Sequence, residues 1–265
     1  MESDEGLVKT GWWRQRAVRG AQLLGGALLD LAYPPVCLNC DAPTATADTL
    51  CPDCFKALRP ITAPLCPVLG LPFAVSLGPD TLSAEALADP PPFGRARAAV
   101  IYGEVASTIV SRLKYGDRPE LARFCARLMV GAGHELWADA PLLVPVPLHR
   151  ARQRERRYNQ SAELAQQIGR LTGLKVDPAL VQRIRRTRQQ VGLSGDGRQR
   201  NVAGAFAVHP DALMRTGGRR VVLIDDVYTT GATVKAVTRS LRRAGIDTVD
   251  VVTFARVVIG ADLPI

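Results

Sequence analysis

The sequence predicts an α/β fold, a parallel sheet flanked by helices, with a small cysteine ribbon on its N-terminal side. From Gly94 onward, short β-branched runs alternate with segments of helical periodicity, the order that builds parallel strands through right-handed crossovers. Val221–Ile224 is continuously apolar, as a strand covered on both faces must be. Five of the six cysteines fall between residues 36 and 66, four of them as two Cys-x2-Cys pairs.

Composition agrees with this class. Of 265 residues, 47% are hydrophobic and 22% charged, enough apolar material to bury a core. A mainly disordered chain, a collagen and a low-complexity array are excluded. No run reaches the ~20 apolar residues of a spanning helix, so no integral membrane segment is expected. Six cysteines in this length are too dilute for a disulfide scaffold. The net charge of +9 is concentrated: residues 146–220 hold 16 Lys or Arg against 5 acids, and the remainder is slightly acidic. A field of that sign draws phosphates and other anions, although a solvated basic face would look the same.

Four sections follow in order. In the arm, residues 1–35, Arg14, Arg16 and Arg19 precede the apolar run Ala21–Ala32, which superficially resembles a signal peptide. Asp30 interrupts that run and no small-residue cleavage site follows, so an amphipathic helix and a cytoplasmic protein are expected. Residues 36–66 form the cysteine ribbon. Residues 67–93 read as a proline-rich linker, since eight prolines lie between Pro60 and Pro92. Residues 94–265 carry the α/β pattern. Strands are expected at Ala98–Tyr102, Leu142–Val146, Ala179–Ile184, Gly204–Val208, Val221–Ile224 and Val249–Phe254. Helices are expected from after Tyr102 through Lys114, from Pro119 to Trp137, from Asn159 to Leu171, and from Thr233 to Ala244, where Gly245 stops the last. Cys125 falls on the apolar face of the second helix and reads as a buried small hydrophobe. No internal repeat is visible.

Cys37, Cys40, Cys51 and Cys54 have the spacing of a structural zinc site. Two knuckles supply four thiolates and complete a tetrahedral shell with no open position. Cys66 has no partner at that spacing.

The most informative stretch is Val221-Val-Leu-Ile-Asp225-Asp226-Val-Tyr-Thr229-Thr230-Gly231-Ala232-Thr233. An apolar strand ends in two carboxylates, and a tight turn leads into a helix. Backbone N–H groups at the helix start, with Thr hydroxyls, can cradle a phosphate monoester. Carboxylates at the strand's C-terminal edge can accept hydrogen bonds from vicinal ribose hydroxyls. The segment lacks the Lys of a P-loop and the three glycines of a dinucleotide fingerprint.

This segment resembles the phosphoribosyl pyrophosphate (PRPP) motif of type I phosphoribosyltransferases. The resemblance implies that Asp225 and Asp226 hold the ribose hydroxyls and are the catalytic pair. It implies that Thr229, Thr230, Gly231, Ala232 and Thr233 surround the 5'-phosphate, with Mg2+ bridging ribose and pyrophosphate oxygens. The loop from Val144 to Ser161, with His149, Arg150, Arg152, Arg154 and Arg156, stands where such enzymes bind pyrophosphate. Arg185, Gln190, Arg198 and Asn201 stand in the flexible-loop position. Both loops, following a cysteine ribbon, resemble the ComF family over residues 27–256. That family is associated with DNA uptake in natural competence and joins a zinc ribbon to a phosphoribosyltransferase domain. Tyr158 and Asn159 suit loop fixing and helix capping, while Lys114 and Tyr115 match the family without an evident role.

Two positions depart from the family. Cys66 stands alone where members place a further Cys pair, so a second metal site is expected to be lost. Arg157 stands where Gly usually precedes the aromatic residue, a strain if the backbone needs positive φ.

The resemblance implies a pentosyl glycosyltransferase acting on PRPP and an unidentified acceptor, in DNA uptake or nucleotide metabolism. The alternative is a non-catalytic factor for single-stranded DNA that keeps the PRPP fold, its Arg loops tracking a phosphate backbone. A third reading is an interaction module whose ribbon docks on a helicase or membrane channel of the uptake machinery.

Overall fold

The computed structural model describes residues 34–76, 78–115, 119–148, 158–185 and 204–258. The chain divides into two compact units, Met1–Asp53 and Cys54–Ile265.

In the first unit the chain folds into a knuckle. The Cys37 N–H donates to Ala42 O at 2.7 Å, Asp41 N–H to Cys37 O at 3.1 Å and Thr44 N–H to Pro35 O at 2.9 Å. Val36 and Pro43 form an isolated antiparallel bridge, and Asp41 takes φ 61°, the left-handed conformation that short polar residues tolerate. The short helix α1, Pro52–Ala57, starts within the second cysteine pair, with proline at its first position.

The second unit carries the same device between Pro64 and Phe73. Cys66 N–H donates to Leu71 O, Gly70 N–H to Cys66 O and Phe73 N–H to Pro64 O, each at 2.8 Å. Leu65 and Pro72 form the bridge, and Gly70 takes φ 62°. A short helix, α2 (Ala84–Ala88), follows, capped by the Ser83 hydroxyl. The expectation of no internal repeat is therefore corrected. The repeat is written in backbone hydrogen bonds, and of the residue identities at its four cysteine positions only Cys66 survives.

The α/β body then runs β1 (Ala96–Ile101), α3 (Glu104–Tyr115), α4 (Pro119–Ala132), β2 (Leu142–Pro145), α5 (Gln160–Thr172), β3 (Val181–Arg183), β4 (Phe206–Val208), α6 (Ala212–Thr216), β5 (Val221–Tyr228), α7 (Ala232–Arg243) and β6 (Val249–Arg256). Four strands form a parallel sheet in the order β1-β6-β5-β2. β6 is buried throughout and β5 at all positions but Val227, which explains their near-continuous apolar runs. The parallel expectation holds for these strands and fails for β3 and β4, which pair antiparallel as a separate ribbon. The second helix ends at Ala132, and His134–Leu136 continues as a 3-10 turn, short of the expected Trp137.

Packing follows helix periodicity. Leu121, Ala122, Cys125, Ala126 and Met129 are fully buried on α4, and Leu164, Ala165 and Ile168 on α5. On the edge strand, Ile61 N–H reaches Ala99 O and Ile101 N–H reaches Arg59 O, so the edge does not stand open. Among the described residues, no helix is long and apolar enough to cross a membrane.

Candidate phosphoribosyl site and cysteine centre

β5 delivers Asp225 and Asp226 to the C-terminal edge of the sheet, where ligands of open α/β folds bind. Both are buried, and each is held by a neighbouring element. From α5, the Ser161 hydroxyl donates to Asp225 Oδ1 at 2.9 Å and Gln160 Nε2 to Asp226 Oδ2 at 3.4 Å. From the end of α3, Lys114 Nζ lies 3.0 Å from Asp226 Oδ2. The backbone closes the set: Asp226 N–H donates to Asp225 Oδ1 and Val227 N–H to Asp226 Oδ1. Burial, and then the Asp226 charge, push the Asp225 carboxyl up to about 7, against the pull of Ser161, the Asp226 N–H and Lys114.

α5 can offer Gln160 and Ser161 because Asn159 caps it. The Asn159 side chain accepts from Ser161 N–H at 3.1 Å and donates to Val146 O at 3.1 Å. Val146 N–H in turn donates to Ile224 O at 2.9 Å. The described ends of the Val146–Asn159 connection therefore meet beside the carboxylates. The Tyr158 hydroxyl donates to Leu113 O, next to Lys114. Tyr158 and Asn159 thus do the fixing and capping expected of them.

After Tyr228 the chain turns through Thr229, Thr230 and Gly231 into α7. Gly231 is required: its φ is 71°, and a Cβ there would collide with the Tyr228 hydroxyl beneath it. The cap residue Gly231 has no side chain to offer α7, and the first helical N–H, that of Ala232, donates to Thr230 Oγ1 at 3.4 Å. Thr229, Thr230 and Thr233 are half-buried and border this turn.

The structure thus brings Asp225, Asp226 and Thr229–Thr233 together at one edge. Arg185 lies exposed just beyond β3. His149, Arg150, Arg152, Arg154, Arg156, Arg157, Gln190, Arg198 and Asn201 lie outside the described residues. Ser161 and Gln160 were not singled out by sequence, and Lys114 was noted only for its family match. The signal available for the first two was their place directly after a capping Asn.

Cys37, Cys40, Cys51 and Cys54 gather with their sulfur atoms within 4.8 Å of one another. The Cys40 and Cys51 sulfurs stand 3.7 Å apart, close to the ~3.8 Å edge of a tetrahedron built on Zn–S bonds of about 2.3 Å and far beyond a disulfide. Burial raises the Cys37 thiol, but N–H groups of Cys40, Cys51 and Asn39 outweigh it and bring it down to about 6, favouring the thiolate a metal needs. The donor set fits structural zinc. Cys125 is fully buried on α4, and burial pushes its thiol far up, as a packing residue.

A parallel sheet presenting paired carboxylates and a tight turn into a helix, alongside a four-cysteine ribbon, defines a phosphoribosyltransferase-type domain with a zinc ribbon. Family comparison agrees: residues 151–263 match the phosphoribosyl transferase domain and residues 28–86 the double zinc ribbon domain. The chain is 34% identical over 227 residues to DNA utilization protein YhgH of Salmonella typhimurium, covering 83% of this chain and 96% of that protein. It is 33% identical over 162 residues to competence protein F of Haemophilus influenzae, covering 58% and 69%. Competence protein ComFC of Bacillus subtilis is 23% identical over 228 residues, covering 79% and 90%. The chain belongs to this ComF family of competence and DNA utilization proteins.

Proposed function

We propose that the chain binds PRPP with Mg2+ at the Asp225–Thr233 edge and transfers its phosphoribosyl group to an acceptor. The observation that carries this is the buried carboxylate pair at the C-terminal end of β5, joined through the left-handed Gly231 to the start of α7. The carboxylates accept hydrogen bonds from the 2'- and 3'-hydroxyls of the ribose. N–H groups and Thr hydroxyls of Thr229–Thr233 take the 5'-phosphate. His149, Arg150, Arg152, Arg154 and Arg156 grip the pyrophosphate, and Arg185, Gln190, Arg198 and Asn201 cover the bound ligand. Asp225 and Asp226 would help to hold Mg2+, which would supply positive charge to neutralise the leaving group.

In the reaction a bond forms between the acceptor and C1', the C1'–O bond breaks, and pyrophosphate leaves with the electron pair. The chain's part is positioning, charge neutralisation and exclusion of water. The relatives' names speak of competence and DNA utilization, so the proposed setting is the handling of DNA. A thermal-shift panel tests the reading. PRPP with Mg2+ should stabilise the protein most, ribose 5-phosphate less, and ribose not at all. Equal shifts with ribose and ribose 5-phosphate would remove the phosphate turn from the account.

A further inference from the structure

A double ribbon implies two metal centres, and the second half of this one has the backbone without the donors. The matching hydrogen bonds and bridges of the two knuckles set Cys66 in the place of Cys37 and Leu69 in that of Cys40. The helices that follow set Ser83 and Ala86 in the places of Cys51 and Cys54, each helix beginning one residue after the first of the pair. Cys66, Leu69 and Ala86 are buried together in the main apolar cluster. The Cys66 sulfur accepts from Leu69 N–H and Ser83 N–H, both at 3.4 Å. One thiol and one hydroxyl cannot supply a four-ligand zinc shell. Among the described residues, only the first ribbon gathers metal-binding groups.

The second ribbon instead grips a residue of the sheet. Arg256, at the end of β6, is 1% exposed. Its Nη1 donates to Leu69 O at 2.6 Å, and its Nη2 pairs with Glu85 Oε1 at 3.2 Å. Leu69 stands at the position that matches Cys40, and Glu85 lies between those that match Cys51 and Cys54. So held, the guanidinium sits 4.2 Å from the centroid of the Tyr228 ring, the register partner of Arg256 on β5. Phe93 meets the same ring edge-on at 6.3 Å. The Tyr228 hydroxyl is buried and lies directly under Gly231. Leu69 and Glu85, Arg256, Tyr228 and Gly231 form one continuous packed line that ends at the phosphate turn.

We infer that the second ribbon is metal-free, closed by apolar packing, and that it braces the phosphate turn through Arg256, a positioning residue acting through the Tyr228 ring. The brace rests on the reading of Asp225–Thr233 as a phosphate site; the metal-free assignment does not.

Two measurements on the full chain test it. Elemental analysis should find one zinc per chain, lost in a Cys37→Ser/Cys40→Ser variant; two zincs, or one that survives that variant, overturns the metal-free assignment. For the brace, ribose 5-phosphate is titrated against wild type, Arg256→Met, Tyr228→Leu and the double variant. Arg256→Met should weaken binding about fivefold to tenfold, and the loss should shrink below about twofold when Tyr228→Leu is already present. Arg256→Lys, which keeps a cation over the ring, should restore part of the affinity. If Arg256→Met does not fold, Glu85→Gln takes its place in the same cycle with the same expected coupling. Equal losses in both backgrounds would mean general destabilisation and overturn the brace. Wild type failing to bind ribose 5-phosphate would sink the phosphate reading and the brace together, leaving the zinc count to decide the rest.

Discussion

Asp225 carries the sharpest conflict between stability and use. An exposed carboxyl ionises near pH ~3.9, and in the folded chain burial beside Asp226 moves this one up to about 7. Below pH ~4 both folded and unfolded states are protonated, and the fold's preference for the acid is fully expressed. As pH rises through 7 the folded state must ionise, and that contribution is lost. Asp225→Asn should therefore flatten the fall in stability between about pH 4 and 7. At pH 8 it should exceed wild type by on the order of 1–3 kcal/mol in urea unfolding. An unchanged fall would mean that Asp225 does not carry the shift. Gly231 behaves oppositely. At φ 71° an Ala costs about 1–2 kcal/mol in backbone alone, before its contact with Tyr228. Gly231→Ala should lower both stability and ribose 5-phosphate affinity, and a variant equal to wild type in both would contradict the turn described.

Among the elements, α5 and the first ribbon make separable predictions. Asn159→Ala removes the cap and should cost about 1 kcal/mol of stability. It should also weaken PRPP binding severalfold, because Gln160 and Ser161 lose the turn that aims them at the carboxylates. Full affinity in a destabilised Asn159→Ala would separate the cap from the site. In the ribbon, thiolate coordination couples metal to folding. Chelation, or Cys51→Ser, should lower the thermal midpoint together with the zinc content; zinc retained in Cys51→Ser would contradict the four-thiolate centre. These elements were legible to different depths. Cysteine spacing and the Asp-Asp to Thr-Thr-Gly turn are local patterns, and a local pattern survives in the sequence. Lys114 pairing with Asp226, and Ser161 with Asp225, depend on which helices flank the sheet edge, so no spacing announces them. The second ribbon was hidden for another reason: its prolines suggested irregular chain, while its order lies in main-chain hydrogen bonds that Leu69, Ser83 and Ala86 do not advertise.

At the scale of the whole molecule, one edge of one sheet concentrates the groups a phosphoribosyl ligand would need. β5 brings carboxylates, α7 the turn at its N-terminus, α5 and α3 the residues that hold the acids ready. The basic excess within residues 146–220 includes the connection whose described ends meet at that edge. The sheet class and its parallel order were readable from alternation of strand and helix, whereas the antiparallel β3–β4 pair was not, since a short apolar run carries no direction. The central claim is that Asp225 and Asp226 with the following turn form a PRPP site. Calorimetric titration of PRPP with Mg2+ into wild type and Asp225→Asn/Asp226→Asn tests it most directly. Each charged hydrogen bond removed costs about 1.5–3 kcal/mol, so the double variant should bind at least about a hundredfold more weakly. Wild type giving no binding, or the double variant binding PRPP as wild type does, would contradict the account.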